Sequence, residues 1–167
     1  MNNQIELTST AFLNGEQIPL RYTKRGEGLS PPLGISGVNG ESENSGAKSL
    51  VLIMEDPDTP IGTITHWLLW NILSITVEIP EKFPEGTSPD SLKNACQGRN
   101  FRHIYGYLPP SPVPFTGIHH YKISIYALDT MLDISPRTSR KALLKAITGH
   151  VLQAGYLVGT DYYRKKV

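Results

Sequence analysis

The chemistry-bearing side chains of this sequence collect where apolar runs begin or end. Asp56-Pro57-Asp58-Thr59-Pro60 closes the run Leu50-Val51-Leu52-Ile53-Met54. His66 opens Trp67-Leu68-Leu69-Trp70-Asn71-Ile72, and His119-His120 opens an alternating stretch through 128. Two imidazoles near a carboxylate suit anion recognition. A ring nitrogen donates to a phosphate or carboxylate oxygen, while an acid on the other nitrogen sets tautomer and orientation. Asp56 is the natural orienter, and Asp58 can instead cap the turn through its own backbone. The plainer readings are a core histidine at His66 and a simple turn at Asp-Pro-Asp. Upstream of His119, Leu108-Pro109-Pro110-Ser111-Pro112-Val113-Pro114 makes a stiff edge, because each proline fixes φ and removes a donor.

The elements that must position these groups read as strands. Residues 50–54 are continuously apolar and stop at a proline turn, as expected of a strand buried on both faces, and residues 67–72 read the same way. Over 121–128, Tyr121, Ile123, Ile125 and Ala127 share one face, and His119 shares their parity while His120 does not. His119 is therefore expected to point inward and His120 outward. Weaker strands are expected around 5–7 and 17–22. One helix is expected after Thr138 or Ser139, with an apolar stripe of Leu143, Leu144, Ile147, Val151 and Ala154, interrupted by Gly149. Segments 34–49 and 80–100 read as loops. Short strands, long loops and one late helix amount to a mainly antiparallel β-fold.

Composition narrows the function classes. The 167 residues fit one domain, expected to span 1–167. Sixteen Lys plus Arg against fifteen Asp plus Glu leave a formal charge of +1, which is no footprint for nucleic acid. The single cysteine, Cys96, excludes an internal disulfide and has no basic neighbour to activate it. His103 and His150 show no partner in the sequence. No apolar run approaches the ~20 residues that span a bilayer. Met1-Asn2-Asn3-Gln4-Ile5-Glu6 has neither the basic start nor the apolar stretch of a secretory leader. A cytoplasmic address is expected.

Taken in order, Asp56-Pro57-Asp58-Thr59-Pro60, His66-Trp67-Leu68-Leu69-Trp70-Asn71-Ile72, Gly106-Tyr107 with its proline-rich loop, and Gly117-Ile118-His119-His120-Tyr121 resemble the phosphatidylethanolamine-binding protein family. The likeness is to its bacterial and archaeal, Raf kinase inhibitor protein-like branch. It extends to Ile18-Pro19 with Tyr22-Thr23, Ser30-Pro31-Pro32-Leu33, Gln97-Gly98-Arg99-Asn100, and the end, residues 146–152 with Leu157-Val158-Gly159-Thr160. The resemblance implies an antiparallel β-sandwich with a few peripheral helices. It also implies a small surface pocket for phosphate-like or carboxylate anions, such as a phosphoethanolamine head group. Asp56, Asp58, Pro60, His66, Pro110, Pro112, His119 and Tyr121 are the implied ligand-binding positions, with no catalytic residue, metal or cofactor. Regulation of a partner kinase or protease is the implied wider role. The resemblance also implies a cis bond at Thr59–Pro60. The family usually has Gly-Pro near Pro109-Pro110, a second proline near Val113 and Arg at the place of His120. Here the pocket edge loses a flexible glycine and a permanently charged fork.

The competing expectation is a metal-dependent hydrolase, since Asp56, Asp58, His66, His119 and His120 are Zn²⁺ or Fe²⁺ ligands by type. No compact H-E-x-x-H pair accompanies them, and no G-x-S-x-G elbow supports a serine hydrolase.

Overall fold

The computed structural model describes residues 4–40 and 46–165. Among the described residues there are eight strands, β1 (Glu6–Thr8), β2 (Leu33–Ser36), β3 (Ser49–Asp56), β4 (Ile64–Leu73), β5 (Glu78–Ile79), β6 (Cys96–Gln97), β7 (Ile118–Leu128) and β8 (Val151–Tyr162), and one α-helix, α1 (Arg140–Ile147). A three-stranded sheet, ordered β1-β2-β5, faces a five-stranded sheet ordered β6-β4-β3-β7-β8, and all strand pairs within them are antiparallel.

The central strand β3 explains its own composition. Leu50, Leu52 and Met54 point into the core between the sheets, beside Trp67, Leu69, Tyr121, Ile123 and Ile125. Val51 and Ile53 point the other way, into a second core that Leu68, Trp70, Leu132 and α1's Leu143 and Ile147 complete. With both faces covered, alternation disappears and the run is apolar throughout. Burying side chains of this size contributes about 1.5–3 kcal/mol each. On β7 only the inner face is fully covered, so period-two alternation survives there, with Tyr121, Ile123, Ile125 and Ala127 inside.

The helix is shorter than its apolar stripe implies. Ser139 caps it, its hydroxyl accepting from the Ala142 backbone N–H at 3.2 Å. Gly149 then reverses the chain at φ +86°, a value few side chains tolerate. Val151 and Ala154, expected on the helix, instead belong to β8. We expect Ser139→Ala to cost about 1 kcal/mol in urea denaturation. An unchanged midpoint would show that the cap contributes nothing. Other expectations also shift. Leu20–Tyr22 is a 3-10 turn rather than a strand, and Gln17 makes only an isolated bridge to Thr160. The expected loops hold β2's Gly34–Ser36 portion and β6, while residues 41–45 of the first lie outside the described residues.

Candidate functional site

The C-terminal ends of β3 and β8 and the N-terminal ends of β4 and β7 lie at one end of the five-stranded sheet, because the strands alternate in direction. That end carries Asp56, His66, His119, Tyr121 and Asp161. A register shift on β4 helps aim the site. Met54 pairs with Trp67 and Glu55 with Thr65, so His66 is the extra residue of a bulge. Bulges of this kind re-aim a side chain. His66 and Trp67, neighbours in sequence, are both buried.

His66 Nδ1 lies 2.7 Å from the Leu108 carbonyl, and the Leu108 N–H donates back to the His66 carbonyl at 2.8 Å. A carbonyl can only accept, so Nδ1 carries the hydrogen. Among the described residues nothing hydrogen-bonds Nε2. Burial pushes the His66 imidazole below the ordinary histidine value, and His119 adds to this. The Leu108 bond and the nearby Asp56 charge oppose the shift without cancelling it. His66 is thus a neutral ring with its Nε2 lone pair unengaged.

His119 is held at both nitrogens. Nδ1 meets Asp56 Oδ2 at 2.6 Å and Nε2 meets Thr116 Oγ1 at 2.8 Å. The other Asp56 oxygen accepts the Asp58 backbone N–H at 2.9 Å. Tyr121 lies between the imidazoles, edge-on to His66 at 5.1 Å and stacked on His119 at 6.4 Å between centroids. Burial raises its phenol far above the ordinary value, with Asp56 and Asp161 adding to the effect and a Ser111 backbone bond opposing it. It remains a neutral hydroxyl. Phe101, Gln97 and Asn100 tie the neighbouring loop down. Gln97 accepts from Trp67 Nε1 at 2.6 Å, and Asn100 donates to the Gly106 carbonyl at 3.0 Å. The Phe101 N–H donates to the Thr65 carbonyl at 2.9 Å.

The structure therefore brings Asp56, His66, His119 and Tyr121 together, as their strand positions imply. Asp58 is exposed, and its side chain turns to His120. Its carboxylate accepts from the His120 backbone N–H at 2.8 Å and meets His120 Nδ1 at 2.7 Å. Partial burial pushes the Asp58 carboxyl up, but these His120 interactions outweigh it and leave the carboxyl below its usual range. His120 faces outward, as parity requires. Pro60 is exposed on a turn in which the Gly62 N–H donates to the Thr59 carbonyl at 3.1 Å. Thr59–Pro60 is trans, correcting the expected cis bond. Pro60 occupies the second position of that turn, where a trans proline's fixed φ already fits. Pro110 and Pro112 are buried, and the Pro110 carbonyl accepts from the Lys24 N–H at 3.0 Å. Val113, Phe115 and Ile118 around Thr116 are exposed. The five-residue metal set does not converge. Among the described residues, no three of His, Cys, Asp and Glu are grouped to hold a metal ion. Cys96 is partly buried, which raises its thiol. His150 pairs on the surface with Asp129 at 2.8 Å.

Sequence reading passed over two residues. Asp161 pairs with His119 across β7 and β8, is fully buried, and takes Arg25 Nη2 at 2.7 Å on Oδ1. Its Oδ2 has no partner among the described residues. An aspartate at the inward parity of an edge strand was the available signal, but only once β8 was recognised.

A sequence profile of the family described as phosphatidylethanolamine-binding protein matches residues 8–163. The chain belongs to that family. A UPF0098 protein of Pyrococcus horikoshii is 48% identical over 157 residues, covering 94% of this chain and 76% of its own length. One from Methanothermobacter thermautotrophicus is 42% identical, covering 93% of this chain and 97% of its own. The crystal structure of a phosphatidylethanolamine-binding protein homologue from Chlamydia trachomatis superimposes with a TM-score of 0.83 at 36% identity, over 99% of this chain and all of that one. The Escherichia coli protein YbcL, described as a member of the mammalian family, shares the fold with a TM-score of 0.84 at 23% identity, over 96% of this chain and 99% of its own. No helix among the described residues is long and apolar enough to cross a membrane.

Proposed function

We propose that this protein is a non-catalytic binding module whose His66–His119 site takes a phosphate-like or carboxylate group. One observation carries the reading. His66 spends Nδ1–H on the Leu108 carbonyl and keeps Nε2 unpartnered, beside a second imidazole already oriented by Asp56. The exposed apolar edge of Val113, Phe115 and Ile118 suits an anion borne on a larger apolar molecule, as in a phosphoethanolamine head group. The phosphatidylethanolamine-binding name of the family agrees with that ligand class.

The protonation states fix the sign of the pH dependence. A fully ionised anion facing Nε2 needs a donor there, so for such a ligand His66 must take up a proton on binding, against the burial that keeps the free ring neutral. Affinity for a ligand of constant charge therefore rises as pH falls. Losing one charge-assisted hydrogen bond costs roughly five- to thirty-fold in affinity. Calorimetry with sulfate and with phosphoethanolamine, from about pH 5 to about pH 8, spans the ordinary histidine range near ~6.5. Repeating it in buffers of different ionisation enthalpy should reveal proton uptake. His66→Gln and His119→Gln should weaken binding, and His120→Ala should leave it intact. Sulfate affinity that is flat with pH, without proton uptake, would overturn the reading.

A further inference from the structure

A basic cleft opens around Arg25. It has a volume of about 470 Å³, within the range of small-molecule sites, and Gln17, Ile18, Leu20, Arg25, Arg164 and Lys165 contribute to its walls. Three of those side chains are cationic and none is acidic.

Two of the cations are held in place. Arg25 is anchored from beneath by the buried Asp161, through Nη2 to Oδ1 alone. The pair is monodentate, and no other side-chain hydrogen bond from Arg25 is made among the described residues. Most of a five-donor fork, on a side chain only 21% exposed, is therefore left to the cleft. Arg164 donates to Gln17 Oε1 at 2.7 Å and lies over the Tyr162 ring at 4.4 Å. Lys165 adds a third charge on a longer, freer stem. Ile18 and Leu20 supply an apolar side, and Leu20 is largely exposed.

We propose that this cleft is a second anion site, taking a di- or polyanionic phosphate, such as a pyrophosphate or a phosphomonoester with a short apolar group. Planar forks held in place match phosphate oxygens in pairs, and fixed donors lose little freedom on binding. The site is separate from the His66–His119 site and does not depend on it. Asp161 lies between the two, neighbouring His119 across the strands and Arg25 across the cleft floor.

The probe is inorganic pyrophosphate, titrated by calorimetry into the wild type and into Arg164→Gln/Lys165→Gln. Arg164 and Lys165 are exposed, so this variant should fold normally, as circular dichroism would verify. One class of binding should weaken about tenfold or more in that variant and fall with added salt. The charge-preserving Arg164→Lys/Lys165→Arg should weaken it less than the neutral pair does, since the charge stays and only the held fork is lost. The Arg25 Nε–H resonance should shift with pyrophosphate in the wild type. His66→Gln should leave this class unchanged, which separates its failure from failure of the histidine site. Unchanged binding in Arg164→Gln/Lys165→Gln, or pyrophosphate binding abolished entirely by His66→Gln, would overturn the proposal.

Discussion

Replacing Arg25 with methionine should lower stability by about 3 kcal/mol, because it strands a buried carboxylate. Asp161 is 0% exposed and, among the described residues, accepts from Arg25 alone, so the variant leaves neither of its oxygens a partner among them. Net attraction in the native pair is a smaller quantity than this, since desolvation of the ions offsets much of it. The loss is mainly the penalty of an uncompensated charge. For a chain of this length it corresponds to a fall in Tm of about 6–12 °C. Adding Asp161→Asn to Arg25→Met should recover most of the loss by removing the charge at nearly constant shape. Urea denaturation with an unchanged m-value measures both effects. An Arg25→Met variant as stable as the wild type, or a double variant no better than the single, would contradict the argument.

Gly155→Ala should destabilise by about 1–3 kcal/mol, although alanine is ordinarily the better strand residue. A Cβ there would lie 2.0 Å from the Ile5 carbonyl oxygen and 2.9 Å from its carbon. The obstacle is backbone, and Ile5 N–H donates to the Ala154 carbonyl at 3.0 Å, so neither side can yield without losing that bond. Gly159 is crowded too, but by the Ile18 and Phe12 side chains, which have rotamers to change. Gly40→Ala is the control. A Cβ there meets nothing within 4 Å, and its effect should stay within about 0.5 kcal/mol. Equal midpoints for Gly155→Ala and the wild type would mean that the segment around Ile5 moves freely.

These two glycines also show why part of the fold was hidden in the sequence. Strands β3, β4 and β7 were legible because their buried positions are filled by Leu, Ile, Met, Trp and Tyr in recognisable patterns. The inward positions of β8 are Gln153, Gly155, Leu157, Gly159 and Asp161. That face is filled by other parts of the chain approaching its glycines, so no apolar alternation marks it. Val151 and Ala154 then completed a false helical stripe with Leu143 and Ile147. Asp161 and Arg25 stayed invisible for the same reason, being 136 residues apart. The site's main members were legible from strand ends and parity, and His119 inside with His120 outside followed directly. The bulge at His66 was not, since nothing in Thr65-His66-Trp67 announces an extra residue. Nor was the partner of His66 Nδ1, a main-chain carbonyl that carries no sequence signal.

The bridges of Gln4 to Ala154 and Gln17 to Thr160 carry a consequence for how the chain reaches this structure. Ile5 and Ile18 donate to Ala154 and Thr160, so an early stretch of chain closes the outer side of a strand formed from a late one. During synthesis, β3, β4 and β7 can associate before residues 151–162 emerge, while the segment around Ile5 waits without its acceptors. Contacts of such long sequence separation slow folding, because the loop between them must be closed before they contribute. Until then β7 presents an open edge to other nascent chains. The step that protects this edge from neighbouring chains thus waits for residues 151–162.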